Sequence, residues 1–139
     1  MSLHASQTIA EYCKEAAGSY LRTVFHYDNG DPETLFIRDD VDEQYAEAEL
    51  AHYFRLLSAT AADEGDQTDA LHVGNHHGTL RLYDDALLLN FPQGDGIGTL
   101  IALDPEAGRE IATFVTRCLA RLHESSEQEI QNAPDWDWL

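Results

Sequence analysis

The chain has 139 residues, enough for one hydrophobic core and one domain, and its 26 acidic side chains against 8 basic ones give a formal net charge of −18. No basic stripe is available to neutralise phosphates, which excludes nucleic acid and disfavours anionic membrane surfaces. No apolar run approaches the roughly 20 residues of a spanning helix and no signal peptide is legible, so a cytoplasmic location is expected.

The first predicted element is a helix over about 6–17, with Ser6 as its cap and Ile9, Cys13 and Ala16 at helical spacing. Gly18 ends it. Ser19–Tyr27 is rich in aromatic and β-branched residues. The turn signal Asp28-Asn29-Gly30-Asp31-Pro32 follows, and Thr34–Arg38 alternates again, which together predict a β-hairpin with a loop of about five residues. Asp40 and Glu43 stand at capping-box spacing for a second helix, with Asp40 as the cap. Tyr45, Leu50, Tyr53, Phe54 and Leu57 mark its inward face, and it fades near Ala62.

The second half reads as a meander. Leu71–Asn75 is a short strand, Asn75-His76-His77-Gly78 has turn composition, and Thr79–Tyr83 alternates. Asp84-Asp85 makes a tight turn, Ala86–Phe91 is a strand, "PQGDG" is a loop, and Ile97–Leu103 is the last strand. Asp104-Pro105-Glu106 then starts a helix with an acidic cap and a proline in the first turn. Ile111, Phe114, Val115, Cys118, Leu119 and Leu122 give that helix the clearest periodic stripe in the chain. Residues 1–123 therefore read as a single α+β domain of order α-β-β-α-β-β-β-α, with one antiparallel five-stranded sheet covered by helices. Residues 124–139 read as an acidic tail ending in "DWDWL".

The succession of elements resembles the roadblock/LC7 proteins, and more loosely the longin and profilin-like folds, over about residues 6–123. Those families act by association and regulation, so the resemblance implies no catalytic residue. It implies a homodimer formed by joining sheets or packing second helices, which makes the helix at 41–62 a candidate interface through Tyr45 and Tyr53, while its spacing turns Phe54 inward. The segments "YLRTVFHYDNGDPETLFIRDDVDEQY" and "GTLRLYDDALLLNFP" are similar to an uncharacterised haloarchaeal family. The charge agrees with that habitat. At about 1 M salt the Debye length falls to roughly 3 Å and self-repulsion is screened. A halophilic protein of a high-salt cytoplasm is the expectation.

Candidate sites are few. His72, His76 and His77 are three of seven histidines, but a zinc site needs three or four convergent ligands at recognisable spacing, and a hairpin turn that carries imidazoles explains them. Gly94–Gly98, "GDGIG", joins strand to strand, whereas a phosphate loop leads into a helix. Asp39-Asp40 and Asp84-Asp85 stand at element ends as caps or turn residues. Cys13 and Cys118 fall on apolar helix faces and read as two small buried thiols. No cofactor is implied. Trp136 and Trp138, both tryptophans of the chain, lie in its last four residues and are candidate contact residues for the own domain, a dimer mate or another protein. The expected role is non-enzymatic: a regulatory or scaffold domain acting through homodimerisation and contacts with an unknown protein partner. The competing readings are a GAF/PAS-type module holding a small ligand between sheet and helices, and a metal-dependent enzyme built on the three histidines.

Overall fold

The computed structural model describes residues 2–45, 49, 52, 54, 55, 72–94 and 96–125. Its class is α+β, with one open antiparallel sheet of five strands in the order β2-β1-β5-β4-β3. The first helix, α1 (Ser2–Ala17), starts four residues before the expected position. Ser6 is therefore not its cap but an interior residue, fully buried. The inward stripe is Ser6, Ala10, Cys13 and Ala17, while Ile9 and Ala16 are exposed. Small side chains on that stripe let α1 lie close to the sheet. A 3-10 turn, Gly18–Tyr20, follows, and Gly18 ends the helix with a left-handed φ of 55°.

Strands β1 (Leu21–Asp28) and β2 (Asp31–Ile37) form the expected hairpin, but the loop is two residues and not five. Asn29 and Gly30 carry φ values of 51° and 90°. Two consecutive positive angles are the type I′ pattern, whose twist matches that of the flanking strands, so both strands run right up to the turn.

Helix α2 (Asp39–Gln44) is where the sequence reading fails most clearly. Asp40 does not cap it. Arg38 holds the cap position, without a side-chain cap bond, and Asp40 instead accepts from the Arg38 guanidinium. The helix expected to continue to Ala62 stops at Gln44, and Tyr45 is extended (φ −123°, ψ 127°). Glu49, His52, Phe54 and Arg55 are helical again. Geometry explains the break. Val41 and Phe54 are both buried, yet residues thirteen apart on one straight helix lie about 140° apart around its axis. One rod cannot turn both inward. A bend at Tyr45 lets each reach the core.

The short strand expected at Leu71–Asn75 is absent over its described residues. His72 and Gly74 have φ values of 55° and 85°, which break an extended run. The meander is β3 (Thr79–Leu82), β4 (Leu87–Gly94) and β5 (Ile97–Leu103). β4 runs through Pro92 to Gly94, so "PQGDG" is mostly strand, and "GDGIG" is a strand-to-strand hairpin. Pairing of β1 with β5 places Val24 opposite Ile101 and His26 opposite Thr99, which joins the two halves of the chain at the centre of the sheet.

The two faces of the sheet have separate cores. On one, Val24, Leu21 and Ile101 pack with Ala10 of α1, flanked by Cys13, Ala17, Phe36, Leu89 and Leu103. On the other, Phe25 and Leu100 pack with Phe54. The Phe25 and Phe54 rings meet edge to face at 5.7 Å and 74°, and Phe54 faces inward as its spacing predicts.

After a 3-10 turn (Pro105–Gly108), helix α3 (Arg109–Ser125) leaves the sheet end. Asp104 stands at the cap position but makes no side-chain cap bond. Its carboxylate is taken by Arg38 and Arg22. The buried or half-buried face of α3 is Ala112, Val115, Thr116 and Leu119. Ile111, Phe114, Cys118 and Leu122, four members of the predicted stripe, are exposed. The apolar stripe is wider than the contact offered to it, and only one flank turns inward.

Candidate functional site

Three groupings of polar and apolar side chains stand out, and each depends on where the fold brings distant residues. The first is interior. Ser6 descends from α1 onto the cross-strand pair His26–Thr99 at the centre of the sheet. Its Oγ lies 2.7 Å from His26 Nδ1, 2.6 Å from Thr99 Oγ1 and 3.1 Å from Gln93 Oε1. Thr99 donates to Gln93 Oε1 at 2.7 Å. Ser6 and Thr99 both donate toward the Gln93 amide oxygen, and the His26 imidazole closes the group. Each buried polar group then has a partner, as a low-dielectric interior requires.

Burial decides what this contact can do. A serine nucleophile is activated when an imidazole nitrogen accepts its proton. Here Ser6 is fully buried and His26 is only 5% exposed, so the hydroxyl is shielded from solvent. The arrangement ties α1 to the sheet. Sequence reading missed it, because it read Ser6 as a cap and found nothing notable in His26 or Thr99. The one available signal was the spacing of Ser6 with Ala10, Cys13 and Ala17, which places a hydroxyl on the inward stripe.

A second polar crossing lies on the opposite face. Tyr27 reaches across β5 and donates to Asn90 Oδ1 at 2.7 Å. Gly98, opposite Tyr27 in the register, clears the way. A Cβ there would strike the Tyr27 ring and hydroxyl and come within 2.8 Å of the Phe91 carbonyl oxygen.

The third grouping is ionic, at the sheet end where β1, β2, β5 and α2 converge. Arg38 donates to Asp104 at 2.7 and 3.1 Å, to the Ser19 carbonyl at 2.7 Å, and to Asp40 at 2.5 and 3.0 Å. Arg22 reaches Asp104 at 3.4 Å. Hydrogen bonds to Asp40 and Asp104 hold the Arg38 guanidinium even more firmly in its charged form, and the same contact keeps the Asp40 carboxyl below its usual value. The fork geometry of arginine is what lets one side chain close three elements at once.

The residues singled out in the sequence are placed elsewhere. His72, His76 and His77 are all exposed, ahead of the edge strand β3 and not at the tip of a hairpin. His76 Nε2 lies 2.8 Å from Thr79 Oγ1. Among the described residues, no group of three His, Cys, Asp or Glu side chains is placed to hold a metal ion. Tyr45 is half-buried at the end of α2. Tyr53, Trp136 and Trp138 lie outside the described residues. Cys13 and Cys118 are both free. Burial pushes the Cys13 thiol up, whereas Cys118 is exposed, a correction to the expected pair of buried thiols.

On the surface, the two sheet edges differ. Along β2, Asp31, Pro32, Glu33 and Thr34 are exposed, and this edge is guarded by charge and by a proline that lacks an N–H. Along β3, Thr79-Leu80-Arg81-Leu82 carries no acid and no proline, and Leu80, Tyr83 and Phe91 are exposed nearby. Among the described residues, no helix is long and apolar enough to cross a membrane.

A family model described as "Domain of unknown function (DUF7522)" matches residues 7–123, from within α1 to near the end of α3. A search of curated proteins finds no match.

Proposed function

The chain belongs to the DUF7522 family, and from that premise we propose that it is a non-enzymatic regulatory or scaffold domain of roadblock/LC7-like topology. It acts through homodimerisation and protein contacts in the high-salt cytoplasm of a halophile. The carrying observation is the inequality of the sheet edges. β2 is blocked by Asp31, Pro32 and Glu33, whereas β3 carries no acid and no proline, has Arg81 as its one charged residue, and leaves Leu80 exposed. An unguarded edge is a template for strand pairing. Two copies joined antiparallel along β3 extend five strands to a continuous ten. The charge of −18 opposes that meeting in dilute buffer, and molar salt removes the opposition.

Light scattering after size exclusion in about 2–4 M KCl tests the reading. The expected mass is twice the 15.6 kDa of the chain. Leu80→Asp places a carboxylate on the open edge and returns the protein to a monomer of unchanged far-UV signal. A wild-type monomer in molar KCl overturns the reading.

A further inference from the structure

We propose that the outward flank of α3 is a docking surface for an amphipathic helix of another protein, one whose polar border is acidic. The surface is separate from the β3 edge. Ile111, Phe114, Cys118 and Leu122 follow one another at i, i+3, i+7 and i+11 and are all exposed. They form a row about 16 Å long at the helical rise. Phe114 is 67% exposed, the most of the large apolar residues on α3. A contiguous apolar row bordered by charge marks a contact surface. Arg117 follows Phe114 by three positions and Arg121 follows Cys118 by three, so both guanidinium groups border the row, and both are exposed. The chain has 26 acids for 8 bases. Yet among the described residues neither arginine forms an ion pair.

Shape and charge choose the occupant. A straight row along a convex helix is matched by the apolar stripe of a second helix, laid beside it at the usual interaxial distance of about 8–10 Å. Two arginines one turn apart are matched by two carboxylates one turn apart on that helix, because the guanidinium fork holds a carboxylate through two parallel bonds. Direct pairs of this kind, half-buried at the border of an apolar contact, are screened far less by molar salt than charges held apart in water. They therefore supply selectivity where long-range attraction is lost. A second copy of α3 fits poorly, since it brings arginines to arginines. An anionic bilayer also meets apolar side chains and arginine, but the rest of the molecule, which carries the net charge of −18, is repelled by it.

Two synthetic helical peptides are the probes. Both carry leucines at i, i+3, i+7 and i+11; one borders them with glutamates and the other with lysines. In about 1 M KCl, fluorescence anisotropy of a label on the peptide is expected to show the glutamate peptide binding about tenfold more tightly than the lysine peptide. Phe114→Asp weakens the glutamate peptide by about tenfold while the far-UV signal holds. The pair Arg117→Glu with Arg121→Glu reverses the preference between the peptides. Saturating glutamate peptide slows maleimide labelling of Cys118, read by mass spectrometry of the fragment that carries it. Leu80→Asp changes none of these results, so the β3 edge and this surface are tested apart. Failure of the glutamate peptide to bind, equal affinity for the two peptides, or labelling of Cys118 that the peptide does not slow overturns the proposal. So does a mass in the Leu80→Asp background that falls on adding Phe114→Asp, which makes a second copy the occupant. Binding to phosphatidylglycerol vesicles that Phe114→Asp removes overturns it as well, in favour of a bilayer.

Discussion

Ser6 and Thr99, ninety-three positions apart in the chain, meet hydroxyl to hydroxyl at 2.6 Å in the interior. His26 completes the contact from the neighbouring strand, so one helix is fastened to the two central strands by hydrogen bonds and not by apolar packing alone. Such a tie is asymmetric in its energetics: forming it contributes little net, but removing one member strands the others without water.

Ser6→Ala is therefore expected to lower stability by about 1–3 kcal/mol, although serine-to-alanine raises helix propensity. Thr99→Val acts on the same chain of protons. The two changes couple, with an interaction energy of about 0.5–3 kcal/mol in a urea-unfolding double-mutant cycle. Strictly additive losses would mean the hydroxyls do not act as a unit.

Gly98→Ala forces a methyl group into the Tyr27 ring and against the Phe91 carbonyl. The expected cost is about 1–3 kcal/mol, read as a shift of the urea midpoint without a change in slope. Tyr27→Phe does not rescue it, because the ring carbon and the backbone oxygen remain in the way. A neutral Gly98→Ala would show that the strand relaxes more easily than the register indicates.

Arg38→Ala unpairs Asp104 from its nearer guanidinium and leaves the Ser19 carbonyl without that donor. A loss of about 1–3 kcal/mol is expected, since hydrogen bonds to charged groups are the stronger kind. Arg38→Lys restores only part of it, because an ammonium cannot hold Asp40 and Asp104 with one planar fork. Full recovery by lysine would reduce the cluster to simple charge attraction.

The Asp40 contact has a defined pH sense. Its carboxyl is depressed in the folded protein, chiefly by the hydrogen bond from Arg38. A depressed acid contributes stability above its unfolded pKa, and that contribution is lost as pH falls through the folded value. The stability difference between wild type and Asp40→Asn is thus flat through neutral pH and closes only below about pH 4. A difference that closes near pH 6 would assign the effect to another group.

If the net charge of −18 is an adaptation to molar salt, the melting temperature climbs steeply as KCl rises from about 0.1 to 2 M, over which the Debye length shrinks from roughly 10 Å to a few ångströms. Thermal unfolding followed by far-UV circular dichroism checks this. A melting point indifferent to KCl counts against the high-salt habitat.

The sheet was legible in the sequence because period-two alternation and turn chemistry are local. Asn29-Gly30 announces a hairpin on its own, and Ile97–Leu103 is apolar enough to be the buried strand. What escaped depended on orientation. The periodicity of α3 gave the helix but not which flank of a wide stripe is pressed inward, so Phe114 and Cys118 read as core and are exposed. In α1 the spacing singles out Ile9, a large aliphatic residue, whereas the fold buries Ser6 and Ala10, whose smallness permits close approach. The bend at Tyr45 carries neither glycine nor proline and follows only from the separate burial of Val41 and Phe54. Long-range ties such as Ser6–His26 and Arg38–Asp104 leave no periodic trace.

The central pairing of β1 with β5 has a kinetic consequence. Val24 finds Ile101 across seventy-seven intervening steps of chain, so the middle of the sheet closes only after nearly the whole domain has left the ribosome. The β1–β2 hairpin forms early but waits with one side unsatisfied. Contacts this remote in sequence raise the entropic barrier and slow the search. The domain is thus a comparatively slow folder for its size, with a nascent half-sheet that remains adhesive until its last strand arrives.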